Sequence, residues 1–347
     1  RPDLLREIDL IEEIARLHGY EHIAPTLPAL RIHGGSPSAG PAAVADRARD
    51  LCAALGFSEI QTFSFVAPER IAQLGFVSED RRCAPLRLAN PLREELSALR
   101  TQLVIGLLEA LRHNLSHGQR DLRLFEVGEV YLPAARGAEE IGRVAGVLAG
   151  ARDHWLKAGP GDDLDFFDVR GVVDELRRAL GWSCELRAAA PGEAPWLHPG
   201  LSAVLVADGR VIGELGEIHP DLRERLGIET RALAFELELP KTLPASPRFV
   251  PLPRFPEVTR DLSFFVDAQA PASAIIAVLR GATPGLLSDV HVLEDYREAG
   301  RVPTGKKGLL LSLTYRSPER TLTDEEVQAA HDERLAALRA AFPIELR

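Results

Sequence analysis

The sequence predicts an α+β protein of more than one domain. Three observations carry that expectation. Strand candidates in the middle of the chain follow one another through hairpins and not through helical crossovers. The C-terminal part runs strand, helix, strand, strand, helix, strand. A proline-rich stretch separates the two. At 347 residues the chain also exceeds the roughly 100–200 of a single domain, so two or three cores are expected.

Residues 3–18 place Leu4, Leu5, Ile8, Ile11, Ile14, Ala15 and Leu17 mostly at i, i+3, i+4 spacing, which predicts an amphipathic helix ending at Gly19. Residues 25–41 mix proline and glycine with few periodic apolar positions and read as a linker at a domain boundary. A helix follows over 41–55, closed by Gly56, and 60–66 has the Thr, Phe and Ile content of a strand. Leu99, Leu103, Leu107, Leu108, Leu111 and Leu115 predict a helix over 96–115, with strands at 122–131 and 144–148. Another helix spans 166–180. Strands at 203–207 and 211–215 flank Asp208-Gly209, a strong two-residue hairpin signal.

Between 240 and 256 stand six prolines, at 240, 244, 247, 251, 253 and 256, which predict an extended tether and a second boundary. Beyond it come a strand (262–266), a helix (272–279), strands (287–296 and 308–315), a helix (324–342) and a terminal strand (344–346). That order is the ferredoxin-like split βαβ.

Composition excludes several classes. Apolar residues are 46% and charged residues 27%, ordinary globular usage. No apolar run is long enough for a bilayer span, and the N-terminus lacks a signal-peptide core. The formal charge of −10 argues against a polycationic nucleic-acid coat. Cys52, Cys83 and Cys184 are far apart, against a disulfide framework or zinc knuckle, and point to a reducing, cytosolic compartment. Methionine is absent even at position 1, so the sequence reads as a piece of a longer chain.

Two constellations stand out chemically. Asp9 and Glu13 are i and i+4, Glu12 is i+3 from Asp9, and Asp3 lies just upstream. Several carboxylates could therefore converge on a hard cation such as Mg²⁺, or simply complement the helix dipole. Residues 297–320 hold Arg297, Arg301, Lys306, Lys307, Arg316 and Arg320 against two acids. With Tyr296 and Tyr315 nearby, that strip suits phosphates and stacked bases, or else protects a sheet edge. His18 and His22 are four apart but interrupted by Gly19, a poor zinc site. His198 and His219 suit turns. No phosphate-loop or dinucleotide glycine pattern occurs. Periodicity leaves Asn90, Arg100, Glu126 and Gly128 unexplained.

Several segments together resemble a known family: 9–20 (DLIEEIARLHGY), 90–101 (NPLREELSALRT), Leu107 to Leu111 with Asn114, and 124–128 (LFEVG). Farther on stand Phe255-Pro256, Arg260 to Leu262, Pro303 with Lys306-Lys307, and 318–327 (PERTLTDEEV). Over nearly its whole length the chain resembles the C-terminal part of the β subunit of bacterial phenylalanine–tRNA ligase. The resemblance implies the end of a winged-helix-like module at 1–25, a non-catalytic core at 40–240 shaped like a class II synthetase with an antiparallel sheet, and a ferredoxin-fold anticodon-binding domain at 250–347.

It also implies an α2β2 heterotetramer in the cytoplasm whose α subunit uses ATP and phenylalanine, with tRNA(Phe) as the shared partner. Mg²⁺ shared with the α subunit would fall on Asp3, Asp9, Glu12 and Glu13, and this fragment alone would be inactive. RNA contacts are expected at Arg297, Lys306, Lys307, Arg316, Tyr296 and Tyr315. Helix 96–115 and the strands after it are expected to form both core and subunit interface. The rival readings are a free-standing Mg²⁺-dependent enzyme, for which no nucleophile motif is found, and a free-standing RNA-binding or scaffold protein.

Overall fold

A computed structural model describes residues 2–27, 40–152, 162–245, 249, 251–281, 285–298 and 300–347. Most of the expected 25–41 linker and part of the 240–256 tether fall outside the described residues. The chain divides into two compact units, 1–246 and 247–347.

Unit 1 runs α1 (Glu7–His18), α2 (Pro41–Ala54), β1 (Ser58–Glu59), β2 (Phe65–Val66), α3 (Pro68–Ala72), β3 (Ala98–Leu99), α4 (Val104–Ser116), β4 (Leu122–Pro133) and β5 (Ala138–Ala149). It continues through α5 (Phe166–Leu180), β6 (Glu185–Ala188), β7 (Leu197–Ala207), β8 (Arg210–Ile218), α6 (Pro220–Leu226) and β9 (Ala232–Glu238). Seven strands form one sheet in the order β1-β4-β5-β9-β8-β7-β6, antiparallel except for the short β1–β4 pairing. Alternation along the strands sends neighbours to opposite faces. Leu124 and Ala234 join a core with Leu103, Leu107, Leu108 and Leu111 around α4. Their neighbours Phe125 and Phe235 pack on the other face with Val44, Ala48 and Cys52 of α2 and Val169, Val173 and Leu176 of α5.

The leucines of α4 are thus spent on this chain's own core, and the interface expected on that helix is not on its leucine face. The helix also begins at Val104, not Leu96. Residues 98–100 are drawn into pairing instead: Ala98 and Leu99 pair with Val66 and Phe65, and the Arg100 N–H donates to Ser64 O at 2.9 Å. The strand expected over 60–66 shrinks to Phe65–Val66. Central β9 was not anticipated. The first helix starts at Glu7, and none of its residues is buried.

Unit 2 follows its expected order closely: β10 (Val258–Asp267), α7 (Ala272–Arg280), β11 (Leu287–Tyr296), β12 (Lys306–Tyr315), α8 (Asp324–Ala341) and β13 (Glu345–Leu346). Its strands lie in the order β11-β12-β10-β13, every neighbour antiparallel. The buried face carries Leu262, Phe264, Val266, Leu309, Leu311 and Leu313 against Ile275, Leu279, Val327 and Leu338 of the two helices. Thr323 and Glu326 start α8 with a reciprocal capping box. Among the described residues no helix is long and apolar enough to cross a membrane.

Candidate functional site

In unit 2 the register of β12 decides which side chains a ligand can reach. Leu309, Leu311, Leu313 and Tyr315 point to the helices, so Gly308, Leu310, Ser312 and Thr314 line the open face. Tyr315 is therefore fully buried, its hydroxyl 3.1 Å from His331 Nδ1. It cannot stack on a base, which corrects the expectation for this residue. Burial pushes its phenol up to about 12 and pushes the His331 imidazole down. Lys307 shares the inward side and is 4% exposed, its ammonium 3.4 Å from Asp295. It too is removed from the surface set.

Tyr296 remains half-exposed, opposite Gly308. Its ring lies across that glycine so closely that a Cβ there would come 2.0 Å from ring Cζ. Phe265, also opposite Gly308, meets the ring edge-on at 6.2 Å between centroids. The Arg347 guanidinium sits 5.5 Å from the ring centroid and donates to the Tyr296 hydroxyl at 3.1 Å. Two aromatics and a guanidinium thus gather on the open face, a surface able to stack an unpaired base. Phe265 and Arg347 were missed from sequence. The available signal was Phe265 standing out of phase with Leu262, Phe264 and Val266.

The basic strip is compensated mostly from outside its own window. Arg297 pairs with Asp295 at 3.0 Å, Arg301 with Glu298 at 3.0 Å, and Arg320 with Glu326 at 2.7 Å. Lys306 pairs with Glu345 and Arg316 with Glu257. Counting charge along residues 297–320 missed Asp295, Glu257, Glu326 and Glu345 because they arrive from other segments. Such exposed pairs are each worth about 0–1 kcal/mol, so a phosphate can displace the carboxylate at small cost.

At the N-terminus, Asp9 is occupied as a helix cap. Its carboxylate accepts from the Arg6 N–H at 2.8 Å and the Leu5 N–H at 3.0 Å, which hold it below the usual carboxylate range. Glu13 pairs with Arg16 at 2.8 Å, and Glu12 is exposed. Among the described residues no three His, Cys, Asp or Glu side chains are arranged to hold a metal. The four acids are not gathered into a Mg²⁺ site by this chain alone.

Unit 1 places three ion pairs on the α4 face of its sheet. Arg100 meets Glu126 at 2.6 Å, Arg143 meets Glu236 at 2.9 Å and Arg82 meets Glu214 at 2.6 Å. Glu126 also accepts from Thr62 Oγ1 at 2.7 Å, and Glu236 from the Val104 N–H at 2.9 Å, where it caps α4. The Trp196 indole donates to Glu214, whose carboxyl burial nevertheless pushes up. A Cβ at Gly128 would come 2.6 Å from Arg100 Nη2, so any larger residue there would push that guanidinium from its place beside Glu126. This explains Arg100, Glu126 and Gly128, while exposed Asn90 lies outside the network. These guanidiniums are committed to glutamates and not held ready for a triphosphate.

A family model described as the phenylalanyl tRNA synthetase beta chain CLM domain matches residues 23–239, and one for the ferredoxin-fold anticodon binding domain matches 253–347. The phenylalanine–tRNA ligase beta subunit of Syntrophotalea carbinolica is 38% identical over 100% of this chain. The chain belongs to the phenylalanine–tRNA ligase β-subunit family. That of Syntrophus aciditrophicus is 37% identical over 95% of the chain. The chain covers 43% and 41% of those two relatives, so it spans under half of their length. A solved pyrrolysyl tRNA synthetase from Desulfitobacterium hafniense overlaps with a TM-score of 0.43 at 13% identity, covering 66% of this chain and 71% of that one. That overlap carries no weight beside the sequence relatives. The β-subunit family frames both surfaces: the ion-paired sheet lies in the CLM match and the aromatic face in the anticodon-binding match.

Proposed function

We propose that the chain serves as a non-catalytic β-side portion of a cytoplasmic phenylalanine–tRNA ligase. In this reading an α subunit in an α2β2 assembly carries ATP, phenylalanine and the aminoacylation chemistry. Residues 250–347 take the anticodon region of tRNA(Phe), residues 40–240 form the supporting core, and residues 1–25 end a winged-helix-like module. The observation that carries the division of labour is the ion-paired sheet of unit 1. Adenylate formation needs cations free to meet a triphosphate, and here Arg82, Arg100 and Arg143 already answer buried glutamates.

For tRNA, Phe265 and Tyr296 offer ring faces and edges to an unstacked base. Arg347 supplies a cation beside them, and Lys306 and Arg316 can exchange carboxylate for phosphate. Lys307 and Tyr315 take no part. For the α subunit, the support is exposed apolar surface beside α4: Phe63, 75% exposed, and Phe65 line a groove of about 850 Å³ together with Gly106 and Ala110 of that helix. Mg²⁺ bound between subunits would draw on Glu12 and the neighbouring acids with the partner completing the oxygen set, and no step is assigned to it.

Phenylalanylation of tRNA(Phe) should be measured with the α subunit alone, this chain alone, and both together with the remaining β-side segments. Activity only in the combined sample is expected. Turnover by this chain alone would overturn the reading.

A further inference from the structure

The cleft on the α4 face of unit 1 contains two of the ion pairs described above, and none of the roles above gives it a ligand. It has a volume of about 480 Å³, within the roughly 300–1,000 Å³ usual for small-molecule sites. Its lining is charged and balanced: four arginines, at 81, 82, 143 and 210, face four carboxylates, at 80, 193, 214 and 236. Most of these groups satisfy one another or a neighbour. Arg82 lies between Asp80 and Glu214, Arg143 Nη1 donates to Glu236, and Arg210 forms a two-pronged pair with Glu238.

Two buried atoms are left over. Gln102 is 1% exposed and lines the cleft, yet among the described residues its Oε1 has no hydrogen-bond partner; Arg143 Nε is likewise without one. An acceptor and a donor therefore stand unanswered in the same cleft, where burial makes each costly.

We propose that this cleft binds a small zwitterion of the free α-amino-acid class. Its ammonium would donate to Gln102 Oε1 and its carboxylate would accept from Arg143 Nε–H. Zero net charge matches a lining with equal numbers of cations and anions, whereas a phosphate would bring uncompensated negative charge among four carboxylates. Leu132 and Val211, also in the lining, give an aliphatic side chain an apolar neighbour.

Isothermal titration of the 347-residue chain with L-leucine, N-acetyl-L-leucine and L-leucinamide tests the proposal. Saturable binding of L-leucine is expected, with each capped analogue weaker by about tenfold or more, since each loses one charged hydrogen bond. The volume-conserving Gln102→Met variant should lose the binding while its unliganded Tm holds or rises, because it removes an orphaned acceptor. No saturable heat up to about 10 mM L-leucine, a concentration below which even a weak small ligand registers, would overturn the proposal. Equal binding of all three compounds would do the same. A crystal structure with only a water joining Gln102 to Arg143, in a chain that binds none of them, would also reject it. The analogue comparison uses the native chain, so it stands even where the variant fails to fold.

Discussion

At the scale of the residue, the buried pair of Arg100 and Glu126 is the sharpest case. Both side chains are almost wholly buried, so removing one leaves the other as an uncompensated charge. Arg100→Met should cost about 3–5 kcal/mol in urea unfolding, and adding Glu126→Leu should recover most of it. A double variant as unstable as the single one would show that the pair does not act as a unit. His331 gives a second expectation, in pH. Burial depresses its folded pKa below the ordinary value of 6.5, so the unfolded chain binds the proton more readily there. Stability from neutral His331 is present above 6.5 and declines as pH falls through and below that value. His331→Gln should flatten that acid-side decline of unit 2, read by denaturant melts between about pH 7.5 and 5. Sequence flagged Arg100, Glu126 and Gly128 as unexplained by periodicity, but only the fold could join positions on either side of helix α4.

At the scale of the element, local chemistry fixed what was readable. The hairpin at Asp208-Gly209 formed as its dipeptide indicates, with φ of 50° and 75°. Gly209→Val should cost about 1–2 kcal/mol for holding a side chain in the left-handed region. An unchanged melting temperature would show that the turn relaxes. The helix over 166–180 was read to the residue, because Asp165 caps its start and Gly181 closes its end. Other features were not readable. Leucine spacing could not show that residues 98–100 pair with β2 before α4 starts, nor that Glu236 supplies the cap. The strand β9, seven residues of Ala, Leu, Phe and Glu, lacks the β-branched content that marks a strand and is held by its neighbours β5 and β8. In β12 the inward side of Tyr315 depended on a register that one residue would invert.

At the scale of the whole molecule, the family was readable from motif order, whereas the charge balance of the proposed RNA face was not. Its carboxylates come from β11, β13, α8 and the segment before β10. The metal proposal belongs here as well, because the acids of α1 need a partner subunit to complete any oxygen set. A Glu12→Gln, Glu13→Gln double variant should form an α–β complex with reduced Mg²⁺ dependence, followed by analytical ultracentrifugation across a Mg²⁺ series; unchanged dependence would remove that proposal. The division of labour itself is met most directly by steady-state phenylalanylation in the assembled enzyme, comparing Tyr296→Ala with Tyr315→Phe. Loss of one stacking ring should raise the KM for tRNA(Phe) by about 5–150-fold, the equivalent of about 1–3 kcal/mol, with kcat and the KM for ATP unchanged. Tyr315→Phe, buried beneath the sheet, should leave all three constants alone. An unaltered tRNA KM in Tyr296→Ala, or a fall in kcat with a raised KM for ATP, would contradict a chain that holds tRNA on its open sheet face and leaves the chemistry to its partner.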